Sequence, residues 1–240
     1  MCRENFLNYQ KLDTTDMENW IKISNHPSPK EKSSIFVSSF GNTMSVVNGR
    51  HMPLRDLDWY YKGHGGGIIQ NKENVVFPKY GLKAGIETEI LTMHYIDHNL
   101  NPVFVGYTLG LDISYKGLRS NDSFLSNFSH LSQTVVSNKI IEQSYPKSSI
   151  ITTEIIRDNK IIWCVRSLAG SKNMNINPNC MFHYLFRNKD ILLPNMIFYS
   201  LTGSATSIDK ADILIKDNDQ IRATLDDKKI ILSNTLRDEI

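Results

Sequence analysis

The chain has 240 residues, of which 40% are hydrophobic and 22% charged, a composition typical of a globular protein that can bury a core. Its 27 basic and 25 acidic side chains give a net charge of +2, and no basic block alternates with aromatic residues, so we expect no nucleic-acid partner. No apolar run approaches the ~20 residues of a membrane span, and no signal-peptide core is present, so we expect no membrane partner. Three cysteines without CxxC spacing indicate reduced thiols in the cytoplasm and no thiolate zinc site.

Short strands dominate the predicted elements. Residues 1–56 form a polar N-terminal extension or a reduced N-terminal domain, with a helix over 16–24 and a strand pair over 34–47. Further strands are predicted at 67–70, 74–77, 86–96, 103–114, 148–156, 159–166, 195–201, 211–215, 219–225 and 229–232, with helices at 121–132 and 178–186. Asp158-Asn159 and Asp226-Asp227 are predicted hairpin turns. This order predicts a mostly β, α+β fold with few short helices.

Three acidic residues lie on two of these strands. Glu87 and Glu89 are two apart and therefore share one face of the strand over 86–96. If Asp97 pairs with Pro102 in a regular hairpin, Glu87 lies opposite Asp112, and three carboxylates meet within roughly 5–7 Å. Such a group repels itself unless a hard divalent cation such as Mg²⁺ binds to its oxygens. The alternative is a solvated acidic face, and a bulge would change the register.

Five motifs occur in an order that resembles a known family. They are Trp59–Gly63 (WYYKG), Glu87–Glu89 (ETE), Gly106–Ser114 (GYTLGLDIS), Ser167–Met174 (SLAGSKNM) followed by Asn179, and Thr202–Ser207 (TGSATS). The chain resembles the fumarylacetoacetate hydrolase superfamily over 57–240, which would be its catalytic domain. Within that superfamily, it resembles the branch of dehydratases that act on 2-keto-3-deoxy sugar acids.

The resemblance implies a rolled, mixed β-sheet, a homodimer and a small-molecule 2-oxo acid as substrate. Glu87, Glu89 and Asp112 would hold Mg²⁺, with Mn²⁺ or Ca²⁺ as alternatives, and the ion would stabilise the enolate formed by proton loss at C3. The substrate carboxylate would be bound by groups with free hydrogen-bond donors, namely Lys62, the hydroxyls of Ser204 and Thr206, and the amides of Gly203 and Ser204.

Several positions depart from the family pattern. His130 stands where the family has a lysine, and it is either the base that removes the C3 proton or a surface residue left after loss of function. Met181 replaces a glutamate, which removes any acid or base at that position. His64 precedes three glycines and is either part of the pocket edge or part of a flexible turn.

These departures leave the reaction open. Dehydration is the first prediction, because the segments around Asn173 and Thr202 resemble the dehydratase branch. Hydrolysis of a C–C bond, decarboxylation and tautomerisation would use the same enolate. A non-catalytic relative that keeps the fold is the remaining alternative.

Overall fold

Twelve strands and three short helices make up the part of the chain that the structure describes. The structure is a computed structural model that describes residues 31–41, 43–44, 57–77, 84–121, 123–208, 213–225 and 230–239. The strands are β1 (Ile35–Gly41), β2 (Asp58–His64), β3 (Ile68–Gln70), β4 (Asn74–Phe77), β5 (Ala84–Ile96), β6 (Pro102–Tyr115), β7 (Thr134–Val136), β8 (Ser149–Arg157), β9 (Lys160–Ala169), β10 (Ile197–Ser207), β11 (Gln220–Leu225) and β12 (Ile230–Asp238). The helices are α1 (Lys116–Asn121), α2 (Ser126–His130) and α3 (Pro178–Phe186).

The strands form two mixed sheets. The first has seven strands in the order β2-β1-β10-β5-β6-β7-β3, and the second has five in the order β4-β12-β11-β8-β9. Three pairs are parallel, β1 with β10, β3 with β7 and β4 with β12, and the other pairs are antiparallel. The prediction of a mostly β fold with a mixed sheet and few short helices is confirmed.

The seven-stranded sheet is rolled. β2 and β6 are separated by three strands, so in a flat sheet they would lie about 19 Å apart. The Tyr60 hydroxyl of β2 is nevertheless 3.0 Å from the Asp112 carboxylate of β6. The sheet therefore curls until its first strand faces its fifth, and the side chains between them become enclosed.

Alternation along β5 separates the apolar core from the acidic residues. Ile86 and Ile90 point toward the five-stranded sheet and join the core that Ile151 and Leu232 also occupy. The odd-numbered residues point into the roll. Leu91 belongs to a second buried cluster there, and Glu87 and Glu89 continue the same face.

The short helix α3 packs against β1, β5 and β10 through its apolar side chains. It begins with Pro178 after Asn177, whose side chain accepts a hydrogen bond from the Asn179 amide. Four apolar residues of α3 are buried against Phe40 and Phe198, namely Met181, Phe182, Leu185 and Phe186. None of the described helices is long and apolar enough to cross a membrane.

Seven predicted strands and the helix over 178–186 agree with the structure to within three residues at each end. The hairpin turn at Asp158-Asn159 is also confirmed, since both residues have the positive φ angles (50° and 60°) of a type I′ turn. The helix over 16–24, the turn at Asp226-Asp227 and residues 45–47 of the predicted strand pair lie outside the described residues. The homodimer and the domain boundary at residue 57 stay predictions.

Other predicted elements differ from the structure. The helix predicted over 121–132 is divided between α1, a 3₁₀ turn and α2, because serine and asparagine side chains in this stretch compete for backbone hydrogen bonds. The strand predicted over 195–201 extends further, because Thr202–Ser207 continues β10 beside β5 with two irregularities of register. β2 and β7 were not among the predicted strands, and residues 213–215 belong to no strand.

Candidate metal and substrate site

The three acidic residues meet inside the roll. Glu87 of β5 lies directly opposite Asp112 of β6, as the predicted register requires. Each of Glu87, Glu89 and Asp112 offers a carboxylate oxygen, and these atoms all lie within 4.8 Å of one another. Glu89 and Asp112 are 1% and 2% exposed, and Glu87 is half-buried. The predicted face and pairing are confirmed, whereas a bound metal stays a prediction.

Lys62 supplies a buried positive charge to this group. Its ammonium lies 2.6 Å from Asp112 Oδ1 and donates to the carbonyl of Ile113 at 2.7 Å and to Ser132 Oγ at 3.1 Å. The His130 carbonyl is a fourth acceptor, at 3.3 Å. The three N–H donors of the ammonium group are therefore all used. In addition, Lys62 is not among the residues that line the cavity. The prediction that Lys62 contacts the substrate carboxylate therefore has no support in this geometry.

Glu89 is held by a backbone amide. The Gly203 N–H donates to Glu89 Oε2 at 2.6 Å. Burial raises the pKa of Glu89 well above its ordinary value, and the charges of Asp112 and Glu87 raise it further. The Gly203 amide and the Lys62 ammonium act in the opposite direction. Without a cation, this carboxyl therefore tends to keep its proton.

The amide that binds Glu89 is fixed by Thr43. The Thr43 hydroxyl donates to the Thr202 carbonyl at 2.7 Å, and that carbonyl belongs to the same peptide group as the Gly203 N–H. Gly203 has φ +118°, and a Cβ there would lie 1.7 Å from Thr43 Oγ1. Only glycine fits this position, because both its φ and its contact with Thr43 exclude a side chain. Its amide therefore serves Glu89 rather than a substrate.

Tyr60 and His130 form one side of the site. The Tyr60 hydroxyl donates to Asp112 Oδ2 at 3.0 Å, and the His130 ring stacks on the Tyr60 ring with 3.7 Å between centroids. Burial, followed by the charge of Asp112, raises the pKa of Tyr60 far above its ordinary value, so the phenol stays protonated. His130 is buried at the end of α2. The alternative that His130 is a surface residue is therefore excluded.

A cavity of about 370 Å³ opens beside the carboxylates. Its size is ordinary for a small-molecule site. Its lining is contributed by β1, β2, β5, β6, β10 and α2, together with residues that follow β1, and consists of Phe40, Gly41, Thr43, Met44, Asp58, Trp59, Tyr60, Glu87, Asp112, Ser114, Ser126, Asn127, His130 and Ser204. Of the residues predicted to contact substrate or metal, Glu87, Asp112, His130 and Ser204 line this cavity.

Two other predicted residues lie elsewhere. The Thr206 hydroxyl is buried and lies 2.6 Å from Thr153 Oγ1, on the side of β10 that faces the five-stranded sheet. His64 is exposed, and its Nδ1 accepts from the Gly66 amide within a 3₁₀ turn. The turn interpretation of His64 therefore agrees with the structure. Neither residue is placed to bind a ligand in the cavity.

Met181, at the position where the motif resemblance implies a glutamate, lies away from the cavity. Met181 is fully buried in the apolar cluster beneath α3 and does not line the cavity. An apolar residue is the natural choice in such surroundings. His183, on the same helix, is exposed.

Sequence reasoning missed several residues of the site. Thr43, Ser126 and Asn127 carried no recognisable signal, because each comes to the cavity through tertiary folding. Tyr60 could have been found, since it is two residues from Lys62 on one strand and both therefore point to the same side.

Comparisons with known proteins agree with this architecture. Neither a protein-family model nor a curated protein sequence matches the chain. Among solved structures, a 2-keto-3-deoxy-D-arabinonate dehydratase complexed with magnesium and 2,5-dioxopentanoate is similar, with a TM-score of 0.70 and 16% identity over 96% of this chain and 83% of that one. A 2-hydroxyhepta-2,4-diene-1,7-dioate isomerase from Mycobacterium marinum has a TM-score of 0.64 and 15% identity over 85% of this chain and 75% of its own.

A 5-carboxymethyl-2-hydroxymuconate delta-isomerase from Mycobacterium smegmatis is also similar, with a TM-score of 0.66 and 14% identity over 85% of this chain and 79% of that one. These proteins differ in reaction but share one architecture. The chain therefore has the same rolled β fold as these enzymes, which is the fold that its motif resemblance to the fumarylacetoacetate hydrolase superfamily predicts.

Proposed function

We propose that this chain is a divalent-metal-dependent enzyme that removes a proton from C3 of a small 2-oxo acid, and that the complete reaction is a dehydration. The observation that carries the proposal is the meeting of Glu87, Glu89 and Asp112 beside a cavity of small-molecule size. A decayed site has no need to keep three mutually repelling carboxylates on one face.

The donor set fits a hard divalent cation. Three carboxylates and the Lys62 ammonium leave a formal charge of −2 at the site, which one divalent ion would neutralise. Carboxylate oxygens are the ligands that Mg²⁺ prefers, with Mn²⁺ and Ca²⁺ as alternatives. When bound, the ion would act as a Lewis acid toward the oxygens of the 2-oxo acid and stabilise the negative charge left by proton loss. The similar dehydratase is complexed with magnesium.

His130 is the residue that we assign to proton transfer. His130 lines the cavity, and its ring stacks on the ring of Tyr60. A neutral imidazole is an effective base near neutral pH. Tyr60, which stays protonated and donates to Asp112, orients that carboxylate. Ser204 lines the cavity, and its hydroxyl, which donates to the Thr206 carbonyl at 3.1 Å, would have to leave that bond to bind the substrate carboxylate.

Dehydration is favoured over the other reactions by the comparisons. The similar dehydratase matches 96% of this chain, whereas the two isomerases match 85%. Tautomerisation, C–C hydrolysis and decarboxylation remain alternatives, because each would use the same carboxylates. A non-catalytic relative differs from all of these, since it would bind the ion without removing a proton.

Exchange of the C3 protons tests the shared step without knowledge of the natural substrate. The protein would be incubated with Mg²⁺ and pyruvate or 2-oxobutanoate in D₂O, and loss of the C3 signal would be followed by NMR. We expect exchange with the wild type, its loss in His130→Gln, and retention in His183→Gln, a histidine that does not line the cavity.

Thermal melts separate the two parts of the proposal. Mg²⁺ should raise the melting temperature of the wild type and of His130→Gln, but not that of Glu89→Gln. Stabilisation by Mg²⁺ without any exchange of the C3 protons would indicate that the chain is a non-catalytic relative that binds the ion. No stabilisation by Mg²⁺, Mn²⁺ or Ca²⁺ would end the proposal.

A further inference from the structure

We infer that Tyr145 is a positioning residue for the carboxylate of Glu89 and acts on it through Thr202. The inference rests on the proposed function, because it takes Glu89 as a ligand of the divalent ion. It goes further by extending the support of that ligand to a side chain that does not line the cavity.

The peptide group between Thr202 and Gly203 lies at a β-bulge. The pairing of β10 with β5 shifts between Leu201 and Ser204, where β10 has one extra residue. The regular ladder is therefore interrupted at the peptide group whose N–H binds Glu89. Contacts from outside the two strands then decide how this group is oriented.

Two hydrogen bonds hold the Thr202 hydroxyl. It donates to the carbonyl of Ile90 at 2.8 Å, which uses its only hydrogen, so the Tyr145 hydroxyl, 2.8 Å from Thr202 Oγ1, is the donor in the second bond. Burial raises the pKa of Tyr145 far above its ordinary value, and the charge of Glu89 adds to the rise while the hydrogen bond with Thr202 opposes it. The phenol therefore stays protonated and remains a donor. Because Thr43 binds the carbonyl of Thr202, both the side chain and the backbone of this residue are fixed, and the next N–H stays directed at Glu89.

Tyr145 is itself held by the motif Ser167–Met174, to which the proposed function assigns no contact with substrate or metal. A backbone amide of this motif donates to the carbonyl of Pro146, the residue after Tyr145, at 2.9 Å. Gly170 has φ +97°, and a Cβ there would lie 2.7 Å from the same carbonyl oxygen, so this close approach requires glycine. Met174 Sδ lies 3.4 Å from the Tyr145 hydroxyl as a second, weaker acceptor. The motif therefore holds Tyr145 in place against β10.

Removal of the Tyr145 hydroxyl tests this directly. We expect Tyr145→Phe to bind Mg²⁺ about three- to tenfold more weakly than the wild type in a calorimetric titration, because it loses one hydrogen bond in the support of a metal ligand. Tyr95→Phe is the matched control, since it removes a phenol hydroxyl that is hydrogen-bonded to Asn195 and does not line the cavity. Both variants lose a hydrogen bond, but the control should keep the wild-type affinity for Mg²⁺.

A double variant tests the route through Thr202. If Tyr145 acts through the Thr202 hydroxyl, the combination of Tyr145→Phe with Thr202→Val should bind Mg²⁺ as weakly as Thr202→Val alone, whereas Thr202→Ser, which keeps the hydroxyl, should retain the wild-type affinity. Losses of affinity that multiply in the double variant would overturn the inference. An unchanged affinity in Tyr145→Phe would also overturn it and leave the proposed function intact, whereas a wild type that binds no Mg²⁺ would overturn both.

Discussion

Lys62 Nζ and Asp112 Oδ1 lie 2.6 Å apart although their strands, β2 and β6, are separated by three others in the same sheet. The contact exists only because the sheet is rolled. Both side chains are almost fully excluded from solvent. Lys62 therefore acts as a fixed counter-ion for the carboxylates, and part of the stability of the roll depends on it.

Replacement of Lys62 by methionine should destabilise the protein strongly. Loss of one partner of a buried ion pair typically costs about 3–5 kcal/mol, because the remaining charge is left uncompensated. The Lys62 ammonium also lowers the pKa of Glu89, so its loss raises that pKa further. A carboxyl whose folded pKa is raised gives stability that is present below the unfolded value and lost as pH rises, so the deficit should be larger at pH 8 than at pH 5.

Urea unfolding at both pH values measures this effect. Lys189→Met, at an exposed position, is the matched control and should change the free energy of unfolding by less than about 0.5 kcal/mol. Mg²⁺ should stabilise Lys62→Met more than the wild type, since three carboxylates would then lack any positive charge. If Lys62→Met unfolds like the control at both pH values, the counter-ion role is refuted.

Thr43 and Glu89 are joined through a single peptide group. The Thr43 hydroxyl binds its carbonyl oxygen, and Glu89 binds its N–H. Thr43→Val removes the hydroxyl at nearly constant volume and frees the peptide to rotate. Groups that orient a metal ligand typically contribute 10–100-fold to metal affinity, so we expect Thr43→Val to weaken Mg²⁺ binding by roughly tenfold or more.

The conservative variant distinguishes orientation from packing. Thr43→Ser keeps the hydroxyl and loses only a methyl group, so it should retain most of the wild-type affinity for Mg²⁺ in a calorimetric titration. Packing alone would give the opposite ranking, with valine better tolerated than serine. That ranking would show that the hydroxyl does not position Glu89.

Gly203 should be intolerant of any side chain. In Gly203→Ala the new Cβ would lie 1.7 Å from Thr43 Oγ1, at a φ of +118°. Backbone strain of this kind costs on the order of 1–3 kcal/mol, and the clash adds to it. Gly41→Ala, at the end of β1, is the matched control, because a Cβ there meets nothing within 4 Å. Thermal melts that give equal stability for the two variants would contradict the proposed geometry.

The predicted pairing of Glu87 with Asp112 is correct, but the regular hairpin from which it was predicted is not what the structure shows. The predicted regular hairpin pairs Asp97 with Pro102, whereas in the structure Pro102 pairs with Ile96. The register then shifts between Met93 and His94, where Val105 is the extra residue of β6. This bulge restores the predicted offset, so Glu87 meets Asp112. Turn composition and alternation predict a hairpin, but they do not reveal a one-residue bulge.

Contacts between strands that are distant in the sequence could not be predicted from the sequence alone. Alternation predicts that Glu87 and Glu89 share a face, because that property is local. The approach of Thr43 to Gly203, or of Lys62 to Asp112, depends on the order of strands in the sheet and on its curvature. Neither the strand order nor the curvature of the sheet produces a periodic pattern in the sequence. The motif resemblance indicated the fold, but it did not reveal that the Lys62 ammonium binds Asp112 and that the Gly203 amide binds Glu89.

His94 is a buried histidine without a polar partner. It is fully excluded from solvent on β5, and neither ring nitrogen has a hydrogen-bond partner among the described residues. Three aromatic rings surround it, with centroid distances of 5.2 Å to Phe104, 4.5 Å to Phe182 and 4.9 Å to Phe186. Burial lowers the pKa of His94 from 6.5 to about 3. The folded protein therefore holds this imidazole neutral.

This histidine should make the protein sensitive to mild acid. Between pH 6.5 and about 3 the unfolded chain binds a proton at His94 that the folded chain does not, so stability falls as pH is lowered, by about 1.4 kcal/mol per pH unit. His94→Leu removes the titration and the unsatisfied nitrogens, and should be more stable than the wild type by about 2 kcal/mol at pH 5. His98→Leu, at an exposed turn, is the matched control and should change the free energy of unfolding by less than about 0.5 kcal/mol. Urea unfolding at pH 5 and pH 8 decides the matter, because a His94→Leu variant that loses stability in acid as steeply as the wild type would exclude His94 as the cause.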